Sequence, residues 1–216
     1  MKRLSVIFIL MLIISACTKQ DILSCDPSIN KWALDNIAYY ETASRDELLL
    51  LTIPEQRAII VGLSGEKRME LWRNKLEIIK SKQLLKPEEL AIYSDIIYFI
   101  KPEHFNNPDK SLELTEYAEN RIHILQEEYN WEDRKVFFYF YTWLTEDEYN
   151  DALLFSELNQ AVTKGSIDDG TSDCNCMPNR LECSASEICF EQNCSATQGC
   201  GIFNNSTCTG KCKFSL

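Results

Sequence analysis

Apolar residues recur at steps of three and four over most of the chain between residues 28 and 162, which is the period of an amphipathic helix. Met69, Trp72, Leu76 and Ile79 form one such stripe, following Ser64 as a candidate cap. Ser28 stands before Trp32, Ala33, Leu34, Ile37 and Tyr40 and predicts a helix there. Ser44-Arg45-Asp46-Glu47 resembles a capping box ahead of Leu48 to Leu51. Thr52-Ile53-Pro54-Glu55-Gln56 and Lys86-Pro87-Glu88-Glu89 both read as helix openings, because proline in a first turn forfeits an N–H that has no helical partner anyway. A longer helix is predicted over Leu114 to Tyr129, and Thr145 caps another that carries Tyr149, Leu153, Leu154, Leu158 and Val162. Glu55 to Ile59 and Glu88 to Ile92 lie 33 residues apart, but two Pro-Glu openings explain the likeness without an internal repeat. The aromatic run Val136 to Leu144 is too short to span lipid. It reads as a buried element, helical like its neighbours.

The pattern breaks at both ends. Lys2 and Arg3 precede nine apolar residues from Val6 to Ile14, then Ser15-Ala16-Cys17. A basic start, a short apolar core and a small-residue exit make a secretory signal peptide over residues 1–16. Ile14-Ser15-Ala16-Cys17 resembles a bacterial lipobox. That resemblance implies diacylglycerol on the Cys17 thiol and cleavage before it, leaving residues 17–27 as a lipid-anchored tether. Several acyl chains on one residue bind a membrane firmly, at about 0.8 kcal/mol per buried methylene. Thr18 rather than Asp follows the cysteine, which resembles lipoproteins sorted to an outer membrane, and Lys19-Gln20-Asp21 resembles a lipoprotein signal for export to the cell surface.

The second break is Thr163 to Ser172, a Gly/Ser/Asp stretch with no apolar period, which reads as a linker. Beyond it, residues 173–216 hold eight of the ten cysteines: Cys174, Cys176, Cys183, Cys189, Cys194, Cys200, Cys208 and Cys212. All four tryptophans and both histidines lie before the linker. A segment this short buries too little apolar surface to offset its conformational entropy and ordinarily needs staples. In an oxidising envelope four disulfides supply them, each contributing roughly 2–4 kcal/mol. Eight cysteines allow 105 pairings, and spacing does not choose among them. Zinc is the weaker reading, since the segment has no CxxC pair and no histidine. The same lack of CxxC argues against a redox enzyme. With Cys17 acylated, Cys25 is left as an odd thiol. The expected architecture is therefore an all-α helical body over residues 28–162, the linker 163–172, and a small irregular disulfide-rich module over 173–216.

Asp173-Cys174-Asn175-Cys176, the spaced Cys183, Cys189 and Cys194, Gly199-Cys200-Gly201, and the closing Cys208-Thr209-Gly210-Lys211-Cys212 resemble the bacteriocin fulvocin C-related proteins. Leu63 to Lys67 and Leu71 to Leu76 look like the phrasing of that family's helical region. The resemblance covers the tail closely and the body loosely. It implies a secreted, bacteriocin-like segment with antibacterial activity. The chain departs from the pattern after Gly201, where Ile202-Phe203-Asn204-Asn205 stands in place of an expected tryptophan.

Charge narrows the partners. Removing Lys2 and Arg3 leaves 20 basic against 33 acidic residues, a mature net of about −13. Nucleic acid is not an expected partner, because phosphate neutralisation needs clustered Lys and Arg. The tail itself carries Asp173, Glu182, Glu187 and Glu191 against Arg180, Lys211 and Lys213. That balance points away from bulk attraction to anionic lipid and toward an envelope protein or glycan target. Catalytic chemistry is not expected. No GxSxG, HExxH, P-loop or Rossmann glycine pattern is present. His104, after Pro102-Glu103, reads as a turn residue, and His123 with Glu119 and Glu127 reads as a solvated helix face rather than a metal site. No cofactor is implied. The expected function is that of an exported lipoprotein with a bacteriocin-like module; the alternative is a non-toxic lipoprotein that binds an envelope partner.

Overall fold

A computed structural model describes residues 23–24, 27–151, 187–191, 197–208 and 210–214. Within it the body is helical: α1 Pro27–Tyr40, α2 Arg45–Leu49, α3 Ile53–Gly62, α4 Gly65–Ser81, α5 Pro87–Phe99, α6 Glu103–Asn106, α7 Pro108–Tyr129 and α8 Asp133–Val136. A π-helical turn, Phe137–Tyr141, continues α8, and residues 146–151 are helical again. Among the described residues no helix is long and apolar enough to cross a membrane.

Local side-chain chemistry sets most of these starts. Ser44 Oγ accepts from the Glu47 amide while Glu47 reaches back to the Ser44 amide, the reciprocal cap expected for α2. Glu55 does the same for the Thr52 amide at 2.9 Å, and Glu89 for the Lys86 amide at 2.9 Å. The two Pro-Glu openings thus use one device, which satisfies a free first-turn N–H with a carboxylate. Ser64 caps α4 by accepting from the Lys67 amide. Thr145 and Glu148 form a similar pair ahead of residues 146–151. Two starts differ from expectation. The first helix begins at Pro27, which places Ser28 inside its first turn. Helix α7 begins at Pro108, six residues before Leu114, because Asn107 Oδ1 caps the Asp109 and Lys110 amides.

Helices α1 and α3 pack together, α4 packs on α5 and α6, and α7 packs on α5 and α6. Their apolar faces share one core that includes Leu48, Ile59, Leu76, Ile96, Leu114 and Leu125. The start of α4 lies so close to the chain at Pro102 that a Cβ on Gly65 would fall inside the van der Waals shell of the Pro102 carbonyl. Gly65→Ala is therefore expected to lower unfolding stability by about 2 kcal/mol, since backbone on both sides must move. Chemical denaturation of the variant beside Gly62→Ala checks this. At Gly62 the neighbours are flexible ends of Ile37 and Leu23, so the smaller loss belongs there.

The aromatic run is buried, as the sequence indicates. Phe138, Phe140, Tyr141, Trp143 and Leu144 all lie in the interior. Its geometry is π-helical rather than α-helical, and Lys75 explains how the turn is held. Lys75 is 1 % exposed, and its ammonium donates to the carbonyls of Phe138 and Thr142, the latter at 2.6 Å. The last carbonyls of a helix have no partner within it. Here one buried cation gathers them.

Residues of the tail form two antiparallel pairs. Strand β1 Glu187–Glu191 pairs with β4 Gly210–Phe214, and β2 Thr197–Cys200 pairs with β3 Ser206–Cys208. The short chain between β2 and β3 makes a 3-10 turn at Ile202–Asn204. That turn sits in the body. Ile202 and Phe203 belong to the same apolar core as the helices, and α3 lies against β2.

Candidate functional site: the seat of the cysteine-rich segment

The place where Gly201 to Asn205 enters the body is the most specific arrangement among the described residues. Gly201 has φ 76°, a conformation glycine adopts without penalty. Phe203 and Asn204 follow at φ 59° and 55°. Asparagine tolerates the left-handed region, but phenylalanine pays about 1 kcal/mol or more there. The burial of Phe203 offsets that cost. Its ring is fully enclosed, meets Trp72 of α4 edge-on at 4.8 Å, and lies 6.2 Å from Phe140 of the π turn. Such aromatic pairs contribute about 0.5–1.5 kcal/mol beyond the area they bury.

Polar groups fix the orientation of the turn. Arg68 of α4, 6 % exposed, donates to the Asn204 carbonyl at 2.7 Å, and its guanidinium lies 4.3 Å over the Phe105 ring of α6. Burial pushes the Arg68 guanidinium down to about 10, so it remains charged at neutral pH. Asn204 Nδ2 donates to the Tyr141 carbonyl at 3.1 Å. Asn205 Nδ2 donates to the His104 carbonyl at 2.8 Å and to Ser111 Oγ at 2.7 Å. The turn is thus read by four elements of the body: α4, α6, α7 and the π turn.

His104 is not a turn residue. It belongs to α6 and is buried, with its ring stacked on Phe99 at 5.3 Å. Its Nδ1 accepts from the Lys101 amide at 3.2 Å, which leaves the hydrogen of the neutral ring on Nε2. Burial lowers its pKa and keeps it neutral. His123 is exposed on α7, with Nδ1 3.9 Å from Glu127. Among the described residues no three potential ligands gather into a metal-binding cluster.

Beside the seat is a small cleft lined by Ile53, Arg57, Phe137, Trp143, Tyr149 and Asn204, among others. Four of its eleven lining residues, Phe137, Tyr141, Trp143 and Tyr149, are aromatic.

Of the cysteines singled out by the sequence, Cys17, Cys25, Cys174, Cys176, Cys183 and Cys194 lie outside the described residues, as do the signal segment and the linker. Cys200 ends β2, is buried, and is disulfide-bonded. Cys189 and Cys212 stand directly opposite each other in the register of β1 and β4. Opposed residues of an antiparallel pair have Cα atoms about 4.5–5.5 Å apart, inside the span a disulfide accepts. Peptide mapping under non-reducing conditions is expected to recover a Cys189–Cys212 link. Recovery of either cysteine bonded elsewhere would refute that pairing.

No local pattern in the sequence marks Arg68, Lys75, Asn204 or Asn205. One signal was available. Ile202-Phe203 is an apolar pair beside polar turn residues in a segment expected to lack a core of its own, and it stands where the resemblance to the family fails. Comparison with protein-family models, curated proteins and solved structures gives no match.

Proposed function

We propose that this chain is an exported lipoprotein, held at the cell envelope by lipid on Cys17, whose helical body carries a bacteriocin-like, disulfide-rich segment with antibacterial activity. The resemblance of the Cys174 to Cys212 pattern supports the activity. The single observation that supports the carrier role is the burial of Phe203 among Trp72, Phe140 and the other core residues of the body. A segment that was only tethered would need no seat with matched hydrogen bonds. On this reading the body keeps an apolar part of the segment covered until it meets its target. No residue is catalytic and no cofactor takes part. With a near-neutral charge balance, the segment finds an envelope protein or glycan rather than anionic lipid in bulk.

The test is a killing assay against related bacteria. One arm uses the whole mature chain and the other the oxidised segment 171–216, with disulfides verified by mass in both. Killing by either arm supports the reading. Survival of every strain at high micromolar doses of both overturns it.

A second reading, a non-toxic lipoprotein that binds an envelope partner, is favoured by the same burial seen from the other side. A segment built into the core of its carrier is placed to act while docked, presenting only the faces turned away from the body. A specific envelope partner recovered with the whole chain, together with no killing, would establish it.

A further inference from the structure

We propose that the seat formed by α4, α6, α7 and the π turn is a self-contained binding site for the Gly201–Asn205 turn, strong enough to keep the cysteine-rich segment on the body after the backbone between them is cut. The proposal holds whether the segment kills or only binds, so it stands or falls apart from the reading above.

Three observations carry it. The first is the anchor. Phe203 is completely enclosed, and its neighbours Trp72 and Phe140 come from two separate elements of the body. A central aromatic in a desolvated pocket is the arrangement that dominates binding between separate molecules.

The second is that the contacts are directional and come from both sides. The body supplies a donor, Arg68, to the backbone of the turn, and the turn supplies two amide donors, from Asn204 and Asn205, to Tyr141, His104 and Ser111 of the body. A generic hydrophobic contact needs none of these.

The third is the state of the seat without the turn. The Arg68 guanidinium is buried, no carboxylate among the described residues pairs with it, and its hydrogens go to the carbonyls of Phe203 and Asn204. Removing the turn strips a buried cation of its hydrogen bonds and uncovers Trp72. An empty seat is therefore unfavourable, and the body favours a filled one. The left-handed backbone at Phe203 and Asn204 points the same way, since contacts with the body repay a conformation the free peptide would seldom adopt.

The experiment uses the full soluble chain carrying Cys17→Ser and Cys25→Ser, so that neither lipid nor a stray sulfur can join the pieces. A protease site is placed between Gly165 and Ser166. After cutting, the fragments are passed over a sizing column at about 10 µM without reductant, a concentration that separates partners weaker than micromolar. The parent fragments are expected to travel together. With Phe203→Ala the association should weaken by at least about 100-fold, the size of an enclosed aromatic truncation. With Asn205→Ala, which leaves the apolar anchor in place, it should weaken by roughly 10-fold, as for the loss of two hydrogen bonds. Should the Phe203 variant not fold, the Asn205 variant decides. Parent fragments that separate while the larger one keeps its helical circular dichroism would overturn the proposal. So would an Asn205→Ala pair as tight as the parent, or a larger fragment that loses its helical spectrum when freed from the smaller.

Discussion

Replacing Lys75 by Ala is expected to lower the free energy of unfolding by about 4 kcal/mol or more. Two losses combine. Truncating a fully buried stem leaves a cavity next to Trp72 and Tyr139, over whose rings the ammonium lies at 5.1 and 5.8 Å. The carbonyls of Phe138 and Thr142 then lose their shared donor inside the protein, at roughly 1–3 kcal/mol for each group left unpaired. Lys75→Met keeps most of the stem and should cost about half as much. Denaturant titration of both variants measures the difference, with an unchanged slope showing that only stability has moved. An alanine variant within about 1 kcal/mol of the parent would mean that the π turn does not depend on this contact. Lys75 also leaves a mark on pH dependence. Burial, with the nearby charge of Arg45, holds its pKa well below the usual 10.5. The unfolded chain therefore binds this proton more readily than the folded one, so this group makes stability rise with pH through the interval below 10.5.

The second large effect lies at acid pH. Arg45 and Glu148 form a two-armed ion pair, Nη1 to Oε1 at 2.7 Å and Nη2 to Oε2 at 2.6 Å, between α2 and the helical residues 146–151. Arg45 also donates to the Trp143 carbonyl at 3.2 Å and lies over the Trp143 ring. Burial works to raise the Glu148 pKa, but hydrogen bonds from Arg45 and the Thr145 amide outweigh it and hold the carboxyl at about 2. Its ordinary value is 4.5. The pair's contribution is thus complete above pH 4.5 and disappears as pH falls toward 2. Glu148→Gln should cost about 3 kcal/mol at neutral pH, because Arg45 is left buried without its counter-charge. The gap between parent and variant should close as the pH is lowered through that window. Urea titrations at pH 7, 4 and 2.5 follow it. A gap that is the same at all three values would rule out the ion pair as its source.

What the sequence revealed and what it concealed divide by distance along the chain. Ser44 with Glu47, Thr52 with Glu55, Ser64 with Lys67 and Thr145 with Glu148 act across three residues, so their helix starts were legible. The stripe of Trp72, Leu76 and Ile79 was legible because helical spacing repeats. Lys75 lies within that same stretch, yet a lysine beside an apolar stripe reads as a surface residue until something 63 positions away accepts its hydrogens. Pro102 ahead of His104 predicts a turn residue there, whereas its burial depends on stacking against Phe99 and on Asn205. The seat joins residues separated by as many as 136 positions, and no local pattern encodes such a partnership. The tail's composition suggested a self-sufficient stapled unit, whereas Ile202 and Phe203 are packed in the interior of the helices.

The order in which the chain is made gives this arrangement a further meaning. The piece that fills the gap beside Trp72 is synthesised some 135 residues after Arg68. Its position is fixed next to Cys200, whose sulfur is oxidised. Until that stretch has been made, the helices are an arch whose keystone has still to arrive, with the Arg68 guanidinium short of its carbonyl acceptors and the Trp72 ring short of its aromatic neighbour.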